Sequence, residues 1–184
     1  MEPFEPQSQK QHSRTAYINV VCFFLMILFG WSGSMLPMFS YSQNIFWEIA
    51  NACFITACVL TSVQLADKKW LIAAAGYILM SISFIGFFSL IPTNTFEKIQ
   101  EVAKNVIIIL PAMLMINSYT PFPLWLKILG LIACVPFIAV LILSQLQMEL
   151  MSFELIFGIG YFLIQSTALC WGIFFLLSHR KLSK

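Results

Sequence analysis

Charged residues divide this chain into long apolar blocks. Counting His179 as a boundary, the charge-free stretches run 15–47, 49–66, 70–96, 105–126, 128–148 and 155–178, each 18 residues or longer. A membrane-crossing helix needs about 17–25 mostly apolar residues, because an α-helix rises about 1.5 Å per residue and the hydrocarbon core is about 30 Å thick. Backbone groups in lipid must be paired within the segment, so such blocks become helices. Barrel strands would instead alternate apolar and polar over about ten residues. The pattern predicts an all-α polytopic bundle of six transmembrane helices, near 17–37, 45–66, 70–91, 98–118, 125–145 and 152–177.

The flanks set the orientation. Residues 1–15 are polar, with Pro3, Pro6 and a Gln/Ser-rich run around Lys10, and read as a disordered tail. The apolar segment after them is too long for a signal peptide. With the N-terminus inside, Lys10, Arg14, Lys68, Lys69, Lys127, Arg180, Lys181 and Lys184 all face the cytoplasm. Only Lys98 and Lys104 face out, beside Glu97 and Glu101. The positive-inside rule therefore places both termini in the cytoplasm, with 179–184 as a basic tail, and a cell inner (plasma) membrane is the expected location. Tyr17, Trp70 and Trp125 mark inner ends and Tyr41 and Trp47 an outer end.

The fourth block departs most from a plain span. It contains Pro111 and Asn117 and stops at Pro121 and Pro123. Its approach, 95–106, is amphipathic, with Asn94 as a predicted N-cap. Pro111 and Pro136 are expected to kink their helices, since proline removes a mid-helix backbone bond. Gly76-Tyr77-Ile78-Leu79-Met80 and Gly160-Tyr161-Phe162-Leu163-Ile164 suggest a weak 3+3 inverted repeat.

Polar residues inside the blocks form two stripes. In the sixth, Glu154, Gly158, Tyr161, Gln165, Ala168 and Gly172 recur at steps of four and three. In the second, Glu48, Asn51, Ile55, Cys58 and Ser62 recur at steps of three and four. Each set lies on one narrow helix face. Both begin with a glutamate at the outer end and run inward through an amide. As a polar seam, Glu48, Asn51, Ser62, Glu154, Tyr161 and Gln165 would take a small polar or cationic solute. The competing reading is packing: the glutamates complement helix N-termini, glycines allow close approach, and the amides bond a neighbouring helix.

Composition agrees with the blocks and removes other chemistry. The chain is 60% hydrophobic and 10% charged, against about 25% charged in soluble domains. A formal net charge of +2 supplies no basic patch for nucleic acid. The five cysteines (Cys22, Cys53, Cys58, Cys134 and Cys170) lie in apolar stretches without metal-site spacing. Gly30-Trp31-Ser32-Gly33 matches the G-x-S-G pattern of rhomboid intramembrane proteases, but the only histidines, His12 and His179, map to the opposite side, too far to act as base. A single aspartate, Asp67, excludes an aspartyl pair, and the sequence has neither a phosphate-binding loop nor an H-E-x-x-H motif.

No enzyme activity and no cofactor are expected. The membrane lipids are the expected partners, together with copies of the chain or a larger membrane complex. Two functions remain: a small transporter or channel-like protein using the seam, and a non-catalytic accessory subunit or assembly factor. The orientation carries its own test. In a variant lacking the five native cysteines, cysteine at position 98 or 104 should react with an impermeant thiol reagent outside intact cells, and cysteine at position 10 or 181 should not.

Overall fold

The computed structural model describes the backbone of residues 5–36, 40–86, 95–145 and 150–182, and side chains within 14–36, 40–86, 103–145 and 155–178. Six α-helices follow in order: α1 (Glu5–Ser34), α2 (Tyr41–Asp67), α3 (Leu71–Gly86), α4 (Thr95–Asn117), α5 (Leu124–Gln145) and α6 (Leu150–Leu182). Four segments are long and apolar enough to cross a membrane: Arg14–Ser34, Tyr41–Asp67, Leu124–Gln145 and Leu155–Ser178. Leu71–Gly86 and Ala103–Asn117 are shorter apolar helices. This is a helical, membrane-compatible bundle.

The helix ends have local causes. Ser40 caps α2 by accepting from the Gln43 backbone N–H at 3.1 Å, which starts that helix four residues before the first apolar periodicity. After α2, Lys69 takes a left-handed conformation (φ 64°). Lys69 N–H then reaches Ala66 O and Trp70 N–H reaches Leu65 O, both at 2.9 Å, so the last carbonyls of α2 are satisfied by a Schellman turn. Asn117 Nδ2 donates to Lys127 O at 3.2 Å and ties the α4–α5 turn that contains Pro121 and Pro123. At the chain ends, α1 begins at Glu5 and α6 continues to Leu182, so helix covers much of both polar flanks. Glu, Gln, Lys and Arg are good helix formers, and extending an existing helix is far easier than starting one. Pro111 and Pro136 both lie inside continuous helices. Asn94 lies outside the described residues.

Each helix packs on its chain neighbours, and α1 packs on α6, closing a ring; α4 also touches α6. Neighbours run antiparallel. Asn19 meets Thr61 while Gly33 meets Trp47, and Phe23 meets Gly172 while Gly30 meets Gln165. The ring interior is filled with rings. Phe54 lies 4.3 Å from Phe84 and 6.3 Å from Phe23, and Tyr77 meets Trp171 edge-on at 5.2 Å. At the end carrying the α2–α3 and α4–α5 turns, Trp70, Tyr119, Phe122, Phe174 and Phe175 form an aromatic cluster. Outward positions are apolar, including Ile128, Leu131, Ile132, Val135 and Ile142 along α5, and suit contact with lipid chains.

The ring order gives the inverted repeat no support. A two-fold axis in the membrane plane turns a clockwise sequence of helices into an anticlockwise one, yet α1–α3 and α4–α6 follow each other in the same sense. Half a turn about the membrane normal keeps that sense but needs α1 and α4 to run the same way, and they run oppositely. The two Gly-Tyr pairs differ accordingly. Gly76 faces α4, its successor in the ring, whereas Gly160 faces Phe137 and Pro136 of α5, its predecessor. Their similarity comes from residues common in membrane helices.

Lipid tails are as apolar as leucine, so close van der Waals packing and hydrogen bonds hold such helices together. Gly76 shows the first term. A Cβ there would lie 2.8 Å from Ala112 O, Ile116 N and Met115 Cβ, mostly rigid backbone. Gly76→Ala should cost about 1–3 kcal/mol of stability by forcing α3 from α4. Gly158 faces open space, so Gly158→Ala should be neutral or stabilising by up to about 1 kcal/mol through helix propensity. Denaturant titration of the two variants in detergent checks the contrast.

Candidate functional site

The α2 and α6 stripes meet inside the ring at one point. The Tyr161 hydroxyl of α6 donates to Asn51 Oδ1 of α2. Asn51 is buried, and the Tyr161 ring is surrounded by Trp47, Phe84 and Phe157 with centroids 5.9–6.3 Å away. One turn deeper on α6, Gln165 is only 1% exposed. Its amide lies directly over Gly30 of α1, where a Cβ would sit 2.6 Å from Oε1. The Tyr161 oxygen is close enough to interact with that amide, yet Gln165 Nε2 has no hydrogen-bond partner of normal geometry.

The other seam residues are placed differently. Glu48 is exposed near the N-terminal end of α2. Ser62 is buried one turn beyond Cys58, in the C-terminal half of that helix. Glu154 lies on helical backbone near the start of α6, and its side chain is outside those described. The structure thus gathers Asn51, Tyr161 and Gln165 and leaves Glu48 apart from them.

Several participants escape the stripe pattern. Trp47, read as an interfacial marker, turns inward. Its indole packs on Gly33 of α1, where a Cβ would lie 2.6 Å from Cδ1 and 2.9 Å from Nε1, and Nε1 is buried without a partner. Gly30, noted in the sequence only within Gly30-Trp31-Ser32-Gly33, is the seat of Gln165, and its carbonyl accepts from Ser34 Oγ at 3.0 Å. Toward the end that carries the α2–α3 turn, Asn19 Nδ2 donates to Thr61 Oγ1 at 2.7 Å, and Thr61 in turn donates to Ala57 O. Between the two sites, Cys58 lies against Ser81, while Tyr77 Oη and Trp171 Nε1 are buried without partners. Asn19 was hidden because it follows closely on a polar flank and belongs to no stripe.

Buried polar groups in hydrocarbon are costly unless paired, so this interior is specified rather than incidental. Among the described residues, no three His, Cys, Asp or Glu side chains gather closely enough to hold a metal ion. Comparison with protein-family models, with curated proteins and with solved structures finds no match for this chain.

The Tyr161–Asn51 bond predicts its own energetics. Tyr161→Phe and Asn51→Leu should each destabilise the bundle, and the double variant should lose less than the sum. A double-mutant cycle of unfolding free energies should give a coupling of about 0.6–2 kcal/mol, the range for hydrogen bonds between membrane helices.

Proposed function

We propose that this integral membrane protein crosses the bilayer six times, with both termini in the cytoplasm of an inner (plasma) membrane, and passes a small polar solute through the middle of its helix ring. The observation that carries this reading is the buried set Asn51, Tyr161 and Gln165, contributed by α2 and α6 and facing the ring interior. An intramembrane polar group is retained against its cost when it pairs structurally or meets a substrate. Asn51 and Tyr161 satisfy each other. Gln165 ends in an unpaired donor, which pairing alone leaves without a purpose.

Two features support six spans. Four helices are long and apolar enough to cross a membrane. The remaining hairpin, α3–α4, occupies the ring between α2 and α5 and packs along both. Its interior face carries Phe84, Tyr77, Ile109 and Met113, all essentially unexposed, so it is part of the wall. The lysine and arginine distribution sets the direction. The inner aromatic cluster then closes the cytoplasmic end, and solute would reach Gln165 from outside.

Gln165→Leu keeps the volume and removes the amide. In proteoliposomes it should remain folded and monodisperse while losing solute flux. Wild-type flux in the variant would remove the seam from the mechanism. Stoichiometric co-purification of another membrane protein, with no flux in the wild type, would favour the accessory-subunit function instead.

A further inference from the structure

The groups left unpaired around Gln165 share one polarity. Trp47 Nε1 and Gln165 Nε2 are both buried N–H donors without partners, and each rests on a glycine of α1. Gly33 and Gly30 are three residues apart, so they lie on one helix face about 5–6 Å from each other. Donors from two further helices, α2 and α6, therefore converge on one slot of α1. Of the acceptors nearby, Asn51 Oδ1 receives the Tyr161 proton and Gly30 O receives the Ser34 hydroxyl, while the Tyr161 oxygen lies close to the Gln165 amide without a bond of normal geometry to its Nε2.

Charge narrows what fits. A cation would meet N–H groups with their positive ends forward, and the one described carboxylate nearby, Glu48, is exposed. An anion would need a compensating positive charge at this depth, because burying an unpaired charge costs far more than two neutral hydrogen bonds return. The nearest described basic residue along α1 is Arg14, sixteen residues or about 24 Å from Gly30. Lys68 and Lys69 lie in the α2–α3 turn and Lys127 in the first turn of α5, at that same far end, and Lys104 of α4 is exposed, outside the ring interior.

We infer that the slot formed by Gly30, Gly33, Trp47 and Gln165 binds the oxygen of a small uncharged solute, accepting one hydrogen bond from the indole and one from the amide. This rests on the transport reading and narrows its substrate class to neutral molecules with a carbonyl, hydroxyl or water oxygen, excluding inorganic cations and anions. The glycines are required because a side chain at Gly30 would displace the Gln165 amide and one at Gly33 the Trp47 indole.

The test uses the full-length protein in proteoliposomes and stopped-flow light scattering, with water, urea and glycerol as neutral probes and potassium chloride as the ionic one. Permeability to at least one neutral probe should exceed that of protein-free vesicles. Trp47→Phe preserves the ring against Gly33 and removes one donor. It should lower that permeability about fivefold, the worth of one hydrogen bond of about 1 kcal/mol. Gln165→Leu should lower it further. The water arm against the urea and glycerol arms tells which oxygen the slot serves. Salt flux with neutral permeability at the protein-free level would overturn the inference and leave transport standing. Neutral permeability unchanged in both variants would overturn the slot. No flux of any probe would overturn the transport reading and the inference together.

Discussion

The bundle depends on the contact that closes its ring, where α6 lies against α1. Five of the six interfaces join helices consecutive in the chain, so connectivity holds their partners close. The α6–α1 interface has no such help and must be specified by shape. Glycine on one helix receives a large side chain from the other at both levels: Gly30 takes Gln165, and Gly172 takes Phe23, whose Cδ2 would lie 2.9 Å from an added Cβ. On the lipid side, Trp31 and Phe162 stack at 5.0 Å across the same seam. In hydrocarbon, where association gains little from the hydrophobic effect, such complementarity decides which helices pair.

Closing the ring creates an interior with two different ends. One half holds Asn51, Tyr161, Trp47 and Gln165, in which polar groups are interleaved with aromatic rings. The opposite end, at the α2–α3 and α4–α5 turns, is closed by Trp70, Tyr119, Phe122, Phe174 and Phe175, held by the Schellman turn after α2 and the Asn117 bond to Lys127 O. Edge-to-face aromatic contacts are favourable and directional, so this end is fixed by geometry as well as by area. The polar interior and the aromatic closure are linked through α6, which supplies Tyr161 and Gln165 to one and Phe174 and Phe175 to the other.

The sequence made the helices legible because charges are so costly in lipid that their positions alone bracket the apolar segments. It also placed Asn51 on one face of α2 and Tyr161 and Gln165 on one face of α6, since a step of three or four residues puts polar groups side by side, and those faces turn to the ring interior. Its limits were physical too. Periodicity names a face without naming what the face meets, so Gly30 could be read as a packing residue but not as the seat of Gln165. Trp47 had the composition of an interfacial anchor and became an inward donor because Gly33 leaves room for an indole. Asn19 found Thr61, forty-two residues away, through tertiary packing that no local pattern encodes. The Gly-Tyr similarity misled because resemblance in sequence carries no information about the sense in which helices are arranged.

That sense of arrangement bears on how such a molecule changes shape. In transporters built from inverted repeats, the two halves exchange conformations, and the inward-facing form is the outward-facing form with the roles of the halves swapped. A ring laid down in chain order with alternating directions has no such exchange available to it. The two ends of its interior are unrelated structures, one polar around Asn51, Tyr161 and Gln165 and the other aromatic around Tyr119, Phe122 and Phe175, so a rearrangement at one end has no symmetric counterpart at the other.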